Sequence, residues 1–370
     1  MAIEKGLEGV VALESSISSI IDGVLTYRGY HIDDLATYSN FEEVAFLLWY
    51  GRLPNKTELA ELKQKLDQYA SIPSELLEQI RSYPPDAHPM AVLRTAVSSL
   101  SLYDQEANDQ SQEANLRKAI KLTAQIPTII TSFARLKNGL EPIKPKPGLG
   151  FAANFLYMLN GEEPSEVARR AFDRALVLHA DHELNASTFA ARVTTGTLSD
   201  IYSAITTAIG TLKGPLHGGA NERVMAMLKE IGSMDRINEY IQNKLDRKEK
   251  IMGFGHRVYK NGDPRAKHLR EMSRQLSEKM GEPLWYEMSV QIEKLVTERK
   301  SLKPNVDFYS ASVYNYLGLN EEFFTPIFAM SRVVGWTAHV LEQYEDNRLI
   351  RPRAEYVGKQ HQTYIPIENR

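Results

Sequence analysis

Apolar residues recur along most of this chain at intervals of three and four, the spacing of one helix face. Asn40 is placed to cap a helix, with Glu43 at the third position. Phe41, Val44, Leu47 and Leu48 form its apolar stripe, and Gly51 and Pro54 mark its end. Thr57 is expected to cap a second run with Leu59, Leu62, Leu66 and Tyr69 on one face. Pro164 and Ser165 open a helical stretch predicted to reach roughly Thr194. Asp200 to Leu212 reads as a further helix, stopped by Gly214 and Pro215. Strand signals are few. The segment Gly9–Tyr30 carries β-branched residues around Asp22-Gly23, the signature of a hairpin turn. No regular alternation of strand and helix appears, which argues against a doubly wound α/β fold.

At 370 residues the chain exceeds one ordinary core, so two domains are expected. A net charge of −3 leaves no basic excess for phosphate neutralisation, which argues against a nucleic-acid partner. The absence of cysteine excludes disulfides, zinc–thiolate sites and cysteine nucleophiles. The start, Met1 to Gly6, has no apolar core like that of a signal peptide. The apolar stretch Phe328–Leu341 is interrupted by Arg332 and His339 and is too short to span a bilayer. A cytoplasmic protein is the expectation.

Three polar clusters carry the chemistry. The first runs from Gly253 to Arg265, GFGHRVYKNGDPR. Its glycines let backbone approach a ligand closely, and His256 between two of them can hydrogen-bond a substrate oxygen. Arg265 follows Asp263-Pro264, a turn from which a planar guanidinium can meet a carboxylate. The second is Lys213 to Glu222, KGPLHGGANE. Here His217 precedes a predicted helix start, whose positive end disfavours imidazolium. A neutral imidazole there can donate to a developing enolate oxygen. The bland alternative is a histidine in a connecting loop. The third is Pro304 to Ser310, PNVDFYS, in which Asp307 alone reads best as a helix cap.

Together the three clusters resemble the citrate synthase family, in its shorter bacterial and archaeal dimeric form. The likeness continues through Leu178–Glu183 (LHADHE) and Arg348–Arg353 (RLIRPR), and covers nearly the whole chain from Gly6. The resemblance implies an almost all-α, two-domain homodimer: a large domain of residues 1–216 and 314–370, and a small domain inserted over 217–313. The proline-bearing loop Gly139–Gly150, which alone reads as a linker, then falls within the large domain. The implied reaction is the condensation of acetyl-CoA with oxaloacetate, a step of the tricarboxylic acid cycle, with acetyl-CoA as cosubstrate and no metal or prosthetic group.

The resemblance also assigns roles. Asp307 is the base that removes a methyl proton, and His217 meets the thioester oxygen. His256 polarises the ketone of oxaloacetate, which His182, Arg265, Arg332 and Arg351 orient. Arg351 is expected to reach the partner subunit's site. Lys260 is matched to the CoA phosphates, with Lys213 and Arg257 as helpers and the Gly253/Gly255 loop receiving adenine. The bland alternatives are a salt bridge from Arg332 to Glu342 or Glu345, a solvated basic tail at Arg351 and Arg353, and surface charges at Lys213 and Arg257. His179 and His182 stand one turn apart beside Glu183, but HxxHE is not a zinc-protease order, so a metallohydrolase is a weak alternative. 2-Methylcitrate synthesis from propionyl-CoA is the nearer one, since one methylene is worth only about 1–3 kcal/mol in a pocket. Gly148–Ala153 matches GxGxxA but follows no strand, so dinucleotide binding is discarded. A helical scaffold without activity leaves the three polar clusters, two of them rich in glycine, unexplained.

Overall fold

The computed structural model describes residues 5–7, 9–256, 258, 259 and 262–370. Among these, three short strands open the chain: β1 (Ser18–Ile21), β2 (Val24–Tyr27) and β3 (Tyr30–His31), an antiparallel sheet in that order. Asp22 and Gly23 both take positive φ, 51° and 80°, the turn type whose twist suits a two-residue hairpin. The expected hairpin is therefore present, extended by one strand.

Sixteen helices follow among the described residues: α1 (Ile32–Tyr38), α2 (Phe41–Tyr50), α3 (Lys56–Tyr69), α4 (Ser74–Arg81), α5 (Pro89–Leu100), α6 (Gln112–Lys137), α7 (Phe151–Asn160), α8 (Glu166–His179), α9 (Ala186–Gly196), α10 (Ile201–Leu212), α11 (Ala220–Ile231), α12 (Ile237–Asp246), α13 (Ala266–Met280), α14 (Leu284–Lys300), α15 (Val306–Tyr316) and α16 (Phe324–Glu345). The all-α reading holds. Asn40 accepts a hydrogen bond from Glu43 N at the start of α2, and Gly51 ends that helix at φ 75°. Thr57 is not a cap. Asn55 is, because Asn55 and Glu58 satisfy each other's backbone N–H groups in a capping box.

The stretch from Ser165 to Thr194 is two helices, not one. Ser165 caps α8 and Asn185 caps α9, and Glu183 between them takes φ 50°. This break turns the chain at Ala180–Asn185, which carries His182.

Helix α16 packs against α2, α6, α8, α9 and α10, while α15 packs against α11, α13 and α14. Contacts from α13 and α15 to α8, and from α11 to α16, join the two sets. Lys267 and His268 on α13 both bind Asp33 on α1, at 2.5 and 2.6 Å, across that junction. No helix among the described residues is long and apolar enough to cross a membrane.

Candidate active site

Elements from both helix sets meet at the junction. His217 lies in the turn between α10 and α11, His256 in the loop before α13, Asp307 in the first turn of α15, and His182 in the α8–α9 break. Each of His217, His256 and Asp307 is half-buried, whereas His182, Arg265 and Arg332 are buried.

The two histidines before α11 and α13 are fixed in opposite tautomers. Ser187 N donates to His217 Nε2 at 3.2 Å, so a neutral ring carries its proton on Nδ1. Ser187 Oγ is also 2.8 Å from that nitrogen and accepts from Trp336 Nε1 at 3.0 Å. At His256 the backbone N–H groups of Val258 and Tyr259 point at Nδ1, at 3.0 and 3.3 Å, which leaves the proton on Nε2. Burial, helped by the charge of Arg332 for His217 and of Arg265 for His256, lowers each ring to about 4. Both rings are therefore neutral hydrogen-bond donors near pH 7.

Asp307 moves the other way. Burial pushes its carboxyl up to about 6, against the opposing pull of Arg265. It is not the cap of its helix: Asn305 fills that position, accepting from Asp307 N at 3.0 Å. Asn305 also pins the glycine loop. Its backbone N donates to Gly253 O and its side chain to Gly255 O, while Gly255 N donates to Lys303 O. Gly253 sits at φ 81°, where an added Cβ would come within 2.8 Å of Phe308 and Val224. That loop can hold its close approach only as glycine.

The anion-binding candidates separate into three cases. Arg265 is held bidentately by Asp263, at 2.9 and 2.7 Å, in a fully buried pair. Arg332 has no carboxylate partner among the described residues. Its Nε donates to His179 O at 2.7 Å and its guanidinium lies 4.7 Å from the Phe328 ring. The alternative salt bridge to Glu342 or Glu345 is absent: Glu342 pairs with Arg192, and Glu345 accepts from Gln112. Burial lowers Arg332 to about 10, so the guanidinium still carries its charge near pH 7. Arg351 lies apart, exposed with the rest of residues 351–370.

A family model for the citrate synthase C-terminal domain matches residues 6–353. Citrate synthase 2 of Bacillus subtilis is 61% identical, with all of both chains covered. The chain belongs to the citrate synthase family. Among solved structures, citrate synthase from Pyrobaculum aerophilum superposes with a TM-score of 0.92 at 45% identity, covering 99% of this chain and 95% of that one. The citrate synthase of Thermoplasma acidophilum, solved as a ternary complex with carboxymethyl coenzyme A and oxaloacetate, superposes with a TM-score of 0.93 at 35% identity, covering 99% of each chain.

A citrate synthase family chain is an acyltransferase, and the metallohydrolase reading of His179, His182 and Glu183 gives way to it. The geometry agrees. His179 Nδ1 is 2.7 Å from Ala175 O and its ring packs on Phe328, whereas His182 Nε2 is 3.0 Å from Tyr259 Oη. Of the expected CoA contacts, Gly253 and Gly255 line the loop beside His256, and Lys213 is exposed at the end of α10. Arg257 and Lys260 lie outside the described residues. GxGxxA at 148–153 does lead into a helix, but Glu42 accepts from Phe151 N there, so a carboxylate of the protein already occupies that helix start.

Sequence reasoning missed Ser187, Tyr259 and Asp263 as partners of His217, His182 and Arg265. Asp263 had a local signal in its spacing from Arg265. Ser187 had none, because it meets His217 from 30 residues away.

Proposed function

We propose that the protein condenses acetyl-CoA with oxaloacetate and hydrolyses the resulting citryl-CoA to citrate and CoA. The observation that carries this reading is the protonation pattern where the two helix sets meet: two neutral histidines fixed as donors and one carboxyl made basic by burial. Asp307 takes a proton from the acetyl methyl group. His217 Nδ1–H hydrogen-bonds the thioester oxygen as it gains enolate character. The new carbanion carbon bonds to the ketone carbon of oxaloacetate, while His256 gives its Nε2 proton to the ketone oxygen, which becomes the hydroxyl. Water then cleaves the thioester of citryl-CoA. Holding both reactants in one cleft removes much of the entropic barrier.

His182, Arg265 and Arg332 orient oxaloacetate, whose carboxylate supplies the anion that Arg332 lacks. CoA is the cosubstrate, bound by the Gly253/Gly255 loop with Lys213, Arg257 and Lys260, and no step uses a metal or prosthetic group. Residues 217–313 form the small domain and close on the large one, which excludes water during condensation. The working form is a cytoplasmic homodimer in which Arg351 completes the partner subunit's site. Its support is the tail: Tyr356, Val357 and Tyr364 are 66, 91 and 78% exposed in the single chain, large side chains that a second subunit would cover.

The test is a thiol-release assay. CoA should appear only when acetyl-CoA and oxaloacetate are both present, with a chelator making little difference. No oxaloacetate-dependent release from folded protein would overturn the assignment. Running propionyl-CoA in parallel separates citrate from 2-methylcitrate synthesis.

A further inference from the structure

Two buried polar atoms, Tyr314 Oη and His179 Nε2, are left unused by the proposed reaction. Tyr314 is fully buried, and its hydroxyl has no partner among the described residues. It stands seven residues after Asp307 on α15, on the same helix face two turns on. Long helical side chains lean toward the N-terminus, which brings the phenol back toward Asp307. Ala311, between them on that face, presents only a methyl group. Burial, and then the charge of Asp307, raises the phenol pKa.

The second orphan is His179, also fully buried. Its neutral ring donates from Nδ1 to Ala175 O, which leaves Nε2 as an acceptor without a partner among the described residues. The rings of His179 and Tyr314 are 6.3 Å apart between centroids. Phe172 and Phe324 pack on Tyr314, at 6.4 and 5.2 Å. A phenylalanine would suit those neighbours, and a buried hydroxyl left without a partner is costly. The hydroxyl therefore requires a compensating contact.

We propose that Tyr314 is a positioning residue for Asp307, its hydroxyl and His179 Nε2 together holding one internal water against the carboxylate. The tyrosine donates to the water, and the water donates to His179 Nε2 and to Asp307. Three polar partners suffice to hold a buried water. Donation to the carboxylate favours its charged form and opposes the effect of burial. Arg332, through its bond to His179 O, ties this group to the anion site. The proposal rests on Asp307 being the base.

The experiment compares Tyr314→Phe with wild type by the pH dependence of kcat/KM for acetyl-CoA at saturating oxaloacetate. The charges bearing on Asp307 are those of Arg265, Asp263, Arg332 and Arg223, and all stay in place. Loss of one hydrogen bond should move the acid limb up by about half a pH unit and lower kcat about three- to tenfold. Oxaloacetate affinity and Tm should hold. 3-Fluorotyrosine at position 314, a stronger donor on nearly the same frame, should move the limb the other way. An unmoved limb in both proteins, with kcat within about twofold of wild type, overturns the proposal. Asp307→Asn is run beside them. If it stays active, the base assignment itself fails; if it is inactive while Tyr314→Phe is silent, only the water-holding role fails.

Discussion

Asp307 and Asp173 are both carboxylic acids whose pKa is raised by burial, yet their surroundings differ in kind. Asp173, on α8, lines a cavity of about 190 Å³ together with Glu42, Lys63 and Arg169. Burial and then the charge of Glu42 hold its carboxyl above the usual range. Asp173 accepts from Phe41 N at the start of α2, and Glu42 accepts from Phe151 N at the start of α7. Arg169 is tied to Glu166 instead. The pair thus closes two helix ends within one helix set, and no histidine borders it. Asp307 sits where two helix sets meet, with donors of fixed tautomer on neighbouring loops and a buried arginine lacking an acid partner among the described residues. A raised carboxyl pKa alone does not mark a base. Its company does: two neutral histidine donors and a buried arginine with no carboxylate partner among the described residues.

Neutralising each acid in turn should separate the two regions most sharply. Asp307→Asn should lower kcat by about 10²–10⁴-fold, the usual worth of a general base. Oxaloacetate binding by calorimetry should survive, since the histidine and arginine cradle is intact. Asp173→Asn should leave kcat within about twofold if its role is helix capping alone. Near-normal turnover in Asp307→Asn, or a collapse confined to Asp173→Asn, would invert the two roles.

The regions should also differ in needing a partner. The Glu42–Asp173 cavity is lined by residues of one chain, whereas the Asp307 site is proposed to borrow Arg351. Arg351→Ala and Asp307→Asn homodimers should both be inactive. In a mixed dimer, one site carries both lesions and the other carries neither, so activity should return to roughly half of wild type per heterodimer. Well-formed heterodimers that stay dead, beside wild-type chains that refold actively, would confine Arg351 to its own subunit.

The smallest effect concerns stability. An acid whose pKa is raised on folding binds its proton more tightly in the folded state. Its stabilising contribution is present below the unfolded carboxylate value and is lost as pH rises through the folded value. Wild type should therefore lose stability relative to Asp173→Asn as pH climbs from about 4 into the neutral range. The loss is about 1.4 kcal/mol for each pH unit separating the unfolded and folded pKa values. Thermal melts of both proteins across that range measure the gap. A gap that does not change with pH would mean that Asp173 keeps its charge in the fold.

Local chemistry determined much of this protein before any tertiary contact. Asn40, Gly51, Ser165 and Asp200 start or stop helices through bonds to residues within a turn, so their neighbours in sequence suffice to place them. The two glycine-bearing clusters and the order of His217, His256 and Asp307 were legible for a related reason: close backbone approach requires particular residue types. What tertiary structure decided lies at long range. The 180–185 break divides an otherwise continuous helical pattern. Ser187 sets the tautomer of His217 across 30 positions, Tyr259 meets His182 across 77, and Arg332 reaches His179 O across 153. Helical periodicity specifies which face of each helix is apolar, but not which distant polar atom comes to face it when the two helix sets pack together.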